Sequence, residues 1–193
     1  MANRSYNKTK NRRNGRYCNT ITSSKSISYK KVDKSTIDAN ISTISNWVGN
    51  QDMIHVQIHG QLKNRKFVQN VCELLLENII PTKLRRNVDV DVWIYNAVEE
   101  QAGGYCWGDK RQVEIEIART SEGYRYTREE LLTNLTHELI HAKQFITGEL
   151  SPTNMRWKKA DYTKVPYSQQ PWEREAYRWE KRLYEKYFKK LGA

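Results

Sequence analysis

Long apolar runs are missing from this chain. No stretch approaches the ~18–20 consecutive apolar residues of a membrane-spanning helix. The first residues, MANRSYNKTKNRRNGRYC, hold no apolar segment of the kind a secretory signal needs. Cysteine is scarce: Cys18, Cys72 and Cys106 are too few and too scattered for a disulfide framework. A reducing, cytoplasmic setting is the expectation. Acidic residues are scarce in one region only. Residues 1–50 hold ten Lys and Arg against Asp33 and Asp38, a net of +8, whereas residues 51–193 hold 23 against 20, a net of +3. This split predicts a basic arm over 1–50, largely disordered or extended, and a folded domain over 51–193. Such an arm can bind nucleic acid or another anionic surface through phosphate contacts, residues 1–35 above all.

Periodicity organises the rest. Within the arm, Ile37, Ile41, Ile44 and Trp47 recur at helical spacing and predict a short helix over 35–47. Ile54, Val56 and Ile58 alternate with His55, Gln57 and His59, the pattern of a strand with one buried face. Phe67, Val71, Leu74 and Leu75 predict a helix over 64–78, stopped by Pro81. Residues 88–98 alternate again, and 105–107 and 113–117 read as two further strands joined by a turn at Gly108-Asp109. The strand over 113–117 would accept an extended peptide by strand pairing if it lay at a sheet edge.

Thr127-Arg128-Glu129-Glu130 has the form of a capping box, and Gly148 fits a C-terminal cap, so a helix is predicted from Thr127 to Thr147. Its apolar stripe is Leu131, Leu132, Leu135, Leu139, Ala142 and Ile146. A mixed loop over 151–170 follows, then a last helix over 172–190 opened by Pro171. These elements predict an α+β fold.

The long helix carries His137-Glu138-Leu139-Ile140-His141. One turn separates the two imidazoles, so both can reach one Zn²⁺, and they fall off the leucine stripe. Glu138 beside them could take a proton from a zinc-bound water. Catalytic zinc usually has three protein ligands, yet no further histidine follows His141. The suitable carboxylates are Glu173 and Glu175. Helical spacing favours Glu173, 32 residues after His141, because it shares an arc with Ala176, Leu183, Tyr184 and Phe188. A carboxylate on a buried face is costly unless paired or bound to a metal. Tyr162 and Tyr167 lie between the two helices. Either hydroxyl could stabilise an oxyanion, and Tyr167 is nearer Glu173 in sequence. His55 and His59 share the same spacing on a strand, which sets them about 13 Å apart and excludes a shared ion.

Residues 52–190 resemble the zincin metallopeptidases, specifically the gluzincin-like group with a Glu as third ligand. There a small sheet precedes the HExxH helix and a second helix bears a Glu-x-x-Ala element, here Glu173 and Ala176. The stretches HELIHAKQFITGEL, RWKKADY and PYSQQPWEREAY are also similar to uncharacterised phage-type metallopeptidases. The resemblance implies a zincin-like small twisted sheet, zinc ligation by His137, His141 and Glu173, and Glu138 as catalytic base. It implies a protein or peptide substrate, and a place in the host cytoplasm or virion. Two positions depart from the family pattern. Lys143 stands at an often apolar position. Tyr177 stands where an Asp commonly supports a zinc-binding histidine. A virion or assembly role, with zinc holding the fold and the arm contacting nucleic acid or a partner, is the alternative expectation.

Overall fold

Alternating apolar residues build the first layer. In β1 (Ile54–His59), Ile54, Val56 and Ile58 are buried while His55 and Gln57 are exposed. β2 (Val88–Tyr95) repeats the pattern through Val88, Val90, Val92 and Ile94. β3 (Gly104–Gly108) and β4 (Gln112–Ala118) form a hairpin, and β4 buries Val113, Ile115 and Ile117. In the computed structural model, which describes residues 53–98, 102–153 and 156–190, these make one four-stranded sheet in the order β1-β2-β4-β3. β1, β2 and β4 are parallel, and β3 is antiparallel to β4. The register aligns Val56 with Val90 and Val90 with Val113, so the apolar side chains gather on one face. The basic arm and the helix predicted over 35–47 lie outside the described residues.

Helices cover that apolar face. α1 (Arg65–Ile79) is the crossover that parallel β1 and β2 require, and it buries Phe67, Val68, Val71, Cys72, Leu75 and Leu76. α2 (Arg128–Thr147) starts at Thr127 as the capping box predicts. The Glu130 amide donates to Thr127 Oγ1 at 3.2 Å, and the Thr127 amide donates to Glu130 Oε2 at 2.8 Å. Gly148 ends the helix at φ 71°, where a left-handed residue closes the last turn. α3 (Pro171–Leu183) opens on proline and continues as a π-helical stretch over Tyr184–Lys189, burying Trp172, Tyr184, Tyr187 and Phe188. The α+β class expected from the sequence is therefore present. Among the described residues no helix is long and apolar enough to cross a membrane.

Several boundaries differ from expectation. The second strand stops at Tyr95 rather than 98. A small hairpin, β5 (Thr120–Ser121) with β6 (Tyr124–Arg125), precedes α2 and is too short to show periodicity. The loop over 151–170 contains a second hairpin, β7 (Arg156–Trp157) with β8 (Ala160–Asp161), and a 3-10 turn over Tyr167–Gln169. The main correction concerns residues 113–117. β4 lies inside the sheet between β2 and β3, so it offers no edge, and β3 takes that position. Alternation reports which face a strand buries, not which strands flank it.

The cap yields a stability prediction. Thr127→Ala should lower the unfolding free energy by about 1 kcal/mol in urea titration, with the denaturant slope unchanged. Burial works against an ionised Glu130, but hydrogen bonds from Thr127 and Tyr124 outweigh it and hold the carboxyl below its ordinary value. A depressed carboxyl stabilises above its unfolded pKa. The contribution of Glu130 should therefore be lost as acid titration passes through the carboxylate range, and Glu130→Gln should flatten that part of the profile.

Candidate metal centre

α2 and α3 bring the key side chains together. His137 and His141 sit one turn apart on α2 and are both buried, at 8% and 6% exposure. Their Nε2 atoms are 3.1 Å apart. From α3, the Glu173 carboxylate lies 3.4 Å from each Nε2 and is 3% exposed. The ligand atoms of the three residues all fall within 4.8 Å of one another. The histidines are off the leucine stripe, as the spacing implies, yet α3 buries them. α2 is covered on nearly all sides.

The tautomers follow from the surroundings. Gln144 Nε2 donates to the Trp172 carbonyl at 3.0 Å and to Glu175 Oε2 at 2.9 Å. Its Oε1 therefore faces His141 Nδ1, 2.8 Å away, and that nitrogen must donate. His137 Nδ1 donates to Glu180 Oε2 at 2.6 Å. With both protons on Nδ1, both Nε2 lone pairs point into the cluster with the Glu173 carboxylate. Glu173 Oε2 is buried with no hydrogen-bond partner. Three acceptors converging in a buried space require a positive charge between them. A metal ion fits that place, and so does a proton. Burial opposes charging the imidazoles, but Glu173 and Glu180 overcome it and raise His137 to about 10, and Glu173 likewise raises His141. Burial also opposes ionising Glu173, and the two imidazoles pull its carboxyl down to about 2.

A second layer of contacts fixes these rings, and sequence reasoning missed most of it. Glu180 stands seven residues after Glu173, two helical turns on, and places a carboxylate on His137. At Tyr177, where the sequence resemblance leads one to expect an Asp, the ring instead meets His137 edge-on at 4.8 Å between centroids. The support for His137 thus comes from one turn further along α3. Glu175 is half-buried. It pairs with Lys143 at 3.3 Å and accepts from Gln144, so it steadies His141 indirectly and stands outside the three-residue cluster. Lys143 also pairs with Glu149, which gives a charged role to a position expected to be apolar.

The other candidates separate by location. Glu138 is buried beside the cluster. Burial raises its pKa, and the charges of His137 and His141 only partly offset that. Gly104 of β3 allows this approach, because a Cβ there would lie 3.0 Å from Glu138 Cγ and 2.9 Å from the Glu116 carbonyl oxygen. Tyr167 presents its hydroxyl to Glu173. Burial, then the charges of Glu173 and Glu138, push its pKa far up. Tyr162 lies elsewhere, edge-on to Trp172 at 6.3 Å in the core. His59 bonds Asp91 at 2.7 Å on the sheet, and His55 lies 4.0 Å from Glu73.

Comparison of the chain with family models, curated proteins and solved structures gave no match. Fold and site alone therefore define the class: an α+β domain with a buried His-His-Glu group able to hold a metal ion.

Elemental analysis should find about one divalent ion per wild-type chain and none in His141→Ala. Glu180→Gln should keep the fold but weaken metal affinity by roughly 10–100-fold. Affinity should also fall as pH is lowered, because the ion displaces a proton from Nε2. Equal affinity in wild type and Glu180→Gln would remove the supporting role of Glu180.

Proposed function

We propose that the chain is a zinc-dependent peptidase with a zincin-like catalytic domain. The convergence of His137, His141 and Glu173 with Glu138 alongside carries this reading. Two imidazole nitrogens and one carboxylate match the protein donors of catalytic zinc, which keeps a further position open. Zinc held there by His137, His141 and Glu173 would supply a Lewis acid that acidifies water and polarises a carbonyl. The order of sheet, HExxH helix and Glu-bearing helix agrees with the zincin resemblance.

The chain's own residues supply the proton steps. Burial raises the pKa of the Glu138 carboxyl and makes it a stronger base than an exposed one, which suits it for accepting a proton from the attacking water. Glu138 then passes that proton to the leaving amine. The Tyr167 hydroxyl stays protonated and is the donor for the developing oxyanion. β3, the edge strand packed on α2, gives an extended peptide a strand to pair with.

Hydrolysis of a mixed quenched-fluorescent peptide library provides the test. Glu138→Gln should retain zinc and lose activity by at least ~100-fold. Tyr167→Phe should lower kcat by about 100-fold with little change in KM. Full activity in Glu138→Gln would overturn the mechanism. Zinc retention without any turnover, in wild type as well, would identify a structural ion, as in an assembly component.

A further inference from the structure

The sheet has a second face, and its charge opposes that of the chain. The positions between the buried ones carry Asp89 and Asp91 on β2 and Glu114 and Glu116 on β4. Asp91 stands beside Glu114, so the carboxylates occupy adjacent strands. The four strands contain no Lys or Arg, in a chain that has 33. Tyr95 feels the resulting field: burial, then Glu116 and Glu114, raise its hydroxyl pKa.

Aromatic rings share this face. Trp93 stacks on His59 at 4.0 Å and is followed by Tyr95 at 6.4 Å. Trp107, 37% exposed, stands opposite Glu114 across the β3–β4 pair. Lys and Arg bind such a surface twice over, by ion pairs with the carboxylates and by lying on the rings. Among the described residues, the helices pack on the opposite, apolar face.

We propose that this acidic, aromatic face docks the chain's own basic segment, residues 1–50. Charge, connectivity and reach single out that occupant. The segment's ten Lys and Arg against two acids complement the four carboxylates. It leads directly into β1, an edge strand whose His55 stands beside Asp89 on this face. Crossing from β1 to β3 takes three strand spacings, about 14 Å. Roughly five extended residues span that distance. Tethering gives the segment an effective concentration on the order of millimolar, above that of a free basic partner. An anionic partner such as nucleic acid must then displace the carboxylates to reach the arm. The metal cluster lies on the other side of the sheet, so this docking is independent of the peptidase reading.

Zero-length carbodiimide cross-linking of the full chain, followed by peptide mapping of the monomeric fraction, tests the proposal. The expected result is that Lys8, Lys10, Lys25, Lys30, Lys31 and Lys34 link to Asp89, Asp91 and Glu114 within one chain. Those links should fall several-fold in about 0.5 M salt. They should fall likewise in the doubly substituted Asp91→Asn, Glu114→Gln chain, with circular dichroism confirming its fold. If that chain does not fold, the wild-type link pattern decides alone. Arm links spread evenly over Glu122, Glu129, Asp161 and Glu185, or no arm links, would overturn the proposal. Links found only between two chains would also overturn it, and would assign the face to a second copy.

Discussion

The site depends on one electrostatic constraint, the meeting of three acceptors in a largely buried space. His137 Nε2, His141 Nε2 and the Glu173 carboxylate point at one another at 3.1–3.4 Å. In bulk water such a meeting would cost little, because solvent would screen it. Here the three residues are 8% exposed or less, and a missing positive charge would leave a large desolvation cost. The surrounding structure keeps that cost from being relieved by rotation. Each imidazole is tied at Nδ1, and Glu173 rides on a helix anchored in the core by Trp172, Ala176 and Phe188.

Those ties run through both helices. Lys143 neutralises Glu175, Glu175 holds the Gln144 amide, and Gln144 fixes the tautomer of His141. His137 is fixed more directly, by Glu180 at its Nδ1. The two imidazoles on α2 are thus oriented from α3 by different means. Displacing α3 would loosen both rings and withdraw Glu173 together, so the docking of α3 on α2 and the readiness of the metal group are one event. The same packing places Glu138 against Gly104, where a larger residue would press on the carboxylate.

Much of this was legible in the sequence because it is local. One-turn spacing puts His137 and His141 on one side of a helix whatever the tertiary fold, and the capping box and Gly148 mark the helix ends. Glu173 was legible because a carboxylate on an apolar arc needs an explanation. Glu180 sits two turns beyond Glu173, so the spacing held a signal that went unread beside the expectation of a carboxylate at 177. Gln144 carried no signal, since a polar residue on a helix gives no sign that it will bridge to a neighbouring helix. The interior place of β4 was not legible either. Strand order depends on which connections cross over, and alternation along residues 112–118 is compatible with an edge or a centre. Tyr162 and Tyr167 could not be separated from sequence, because their loop folds into a hairpin and a 3-10 turn that send one ring to the core and the other to the cluster.

The sheet sorts charge in a way that composition hides. A chain of net +11 has strands that carry carboxylates and no Lys or Arg. An acidic face on a basic protein attracts the chain's own cations, and the attraction grows as the face loses competing positive charge. The apolar face of the same sheet was committed to α1 and α2, so hydrophobic burial left the outer face with no role in the core. Its residues were then bound only by solubility and by what they contact. Solubility alone is served by mixed charges, and it does not call for stacked Trp93, Tyr95 and His59 among acids of a single sign. Rings among carboxylates form a surface selective for Lys and Arg, and the chain supplies those residues upstream of β1, between Arg4 and Lys34.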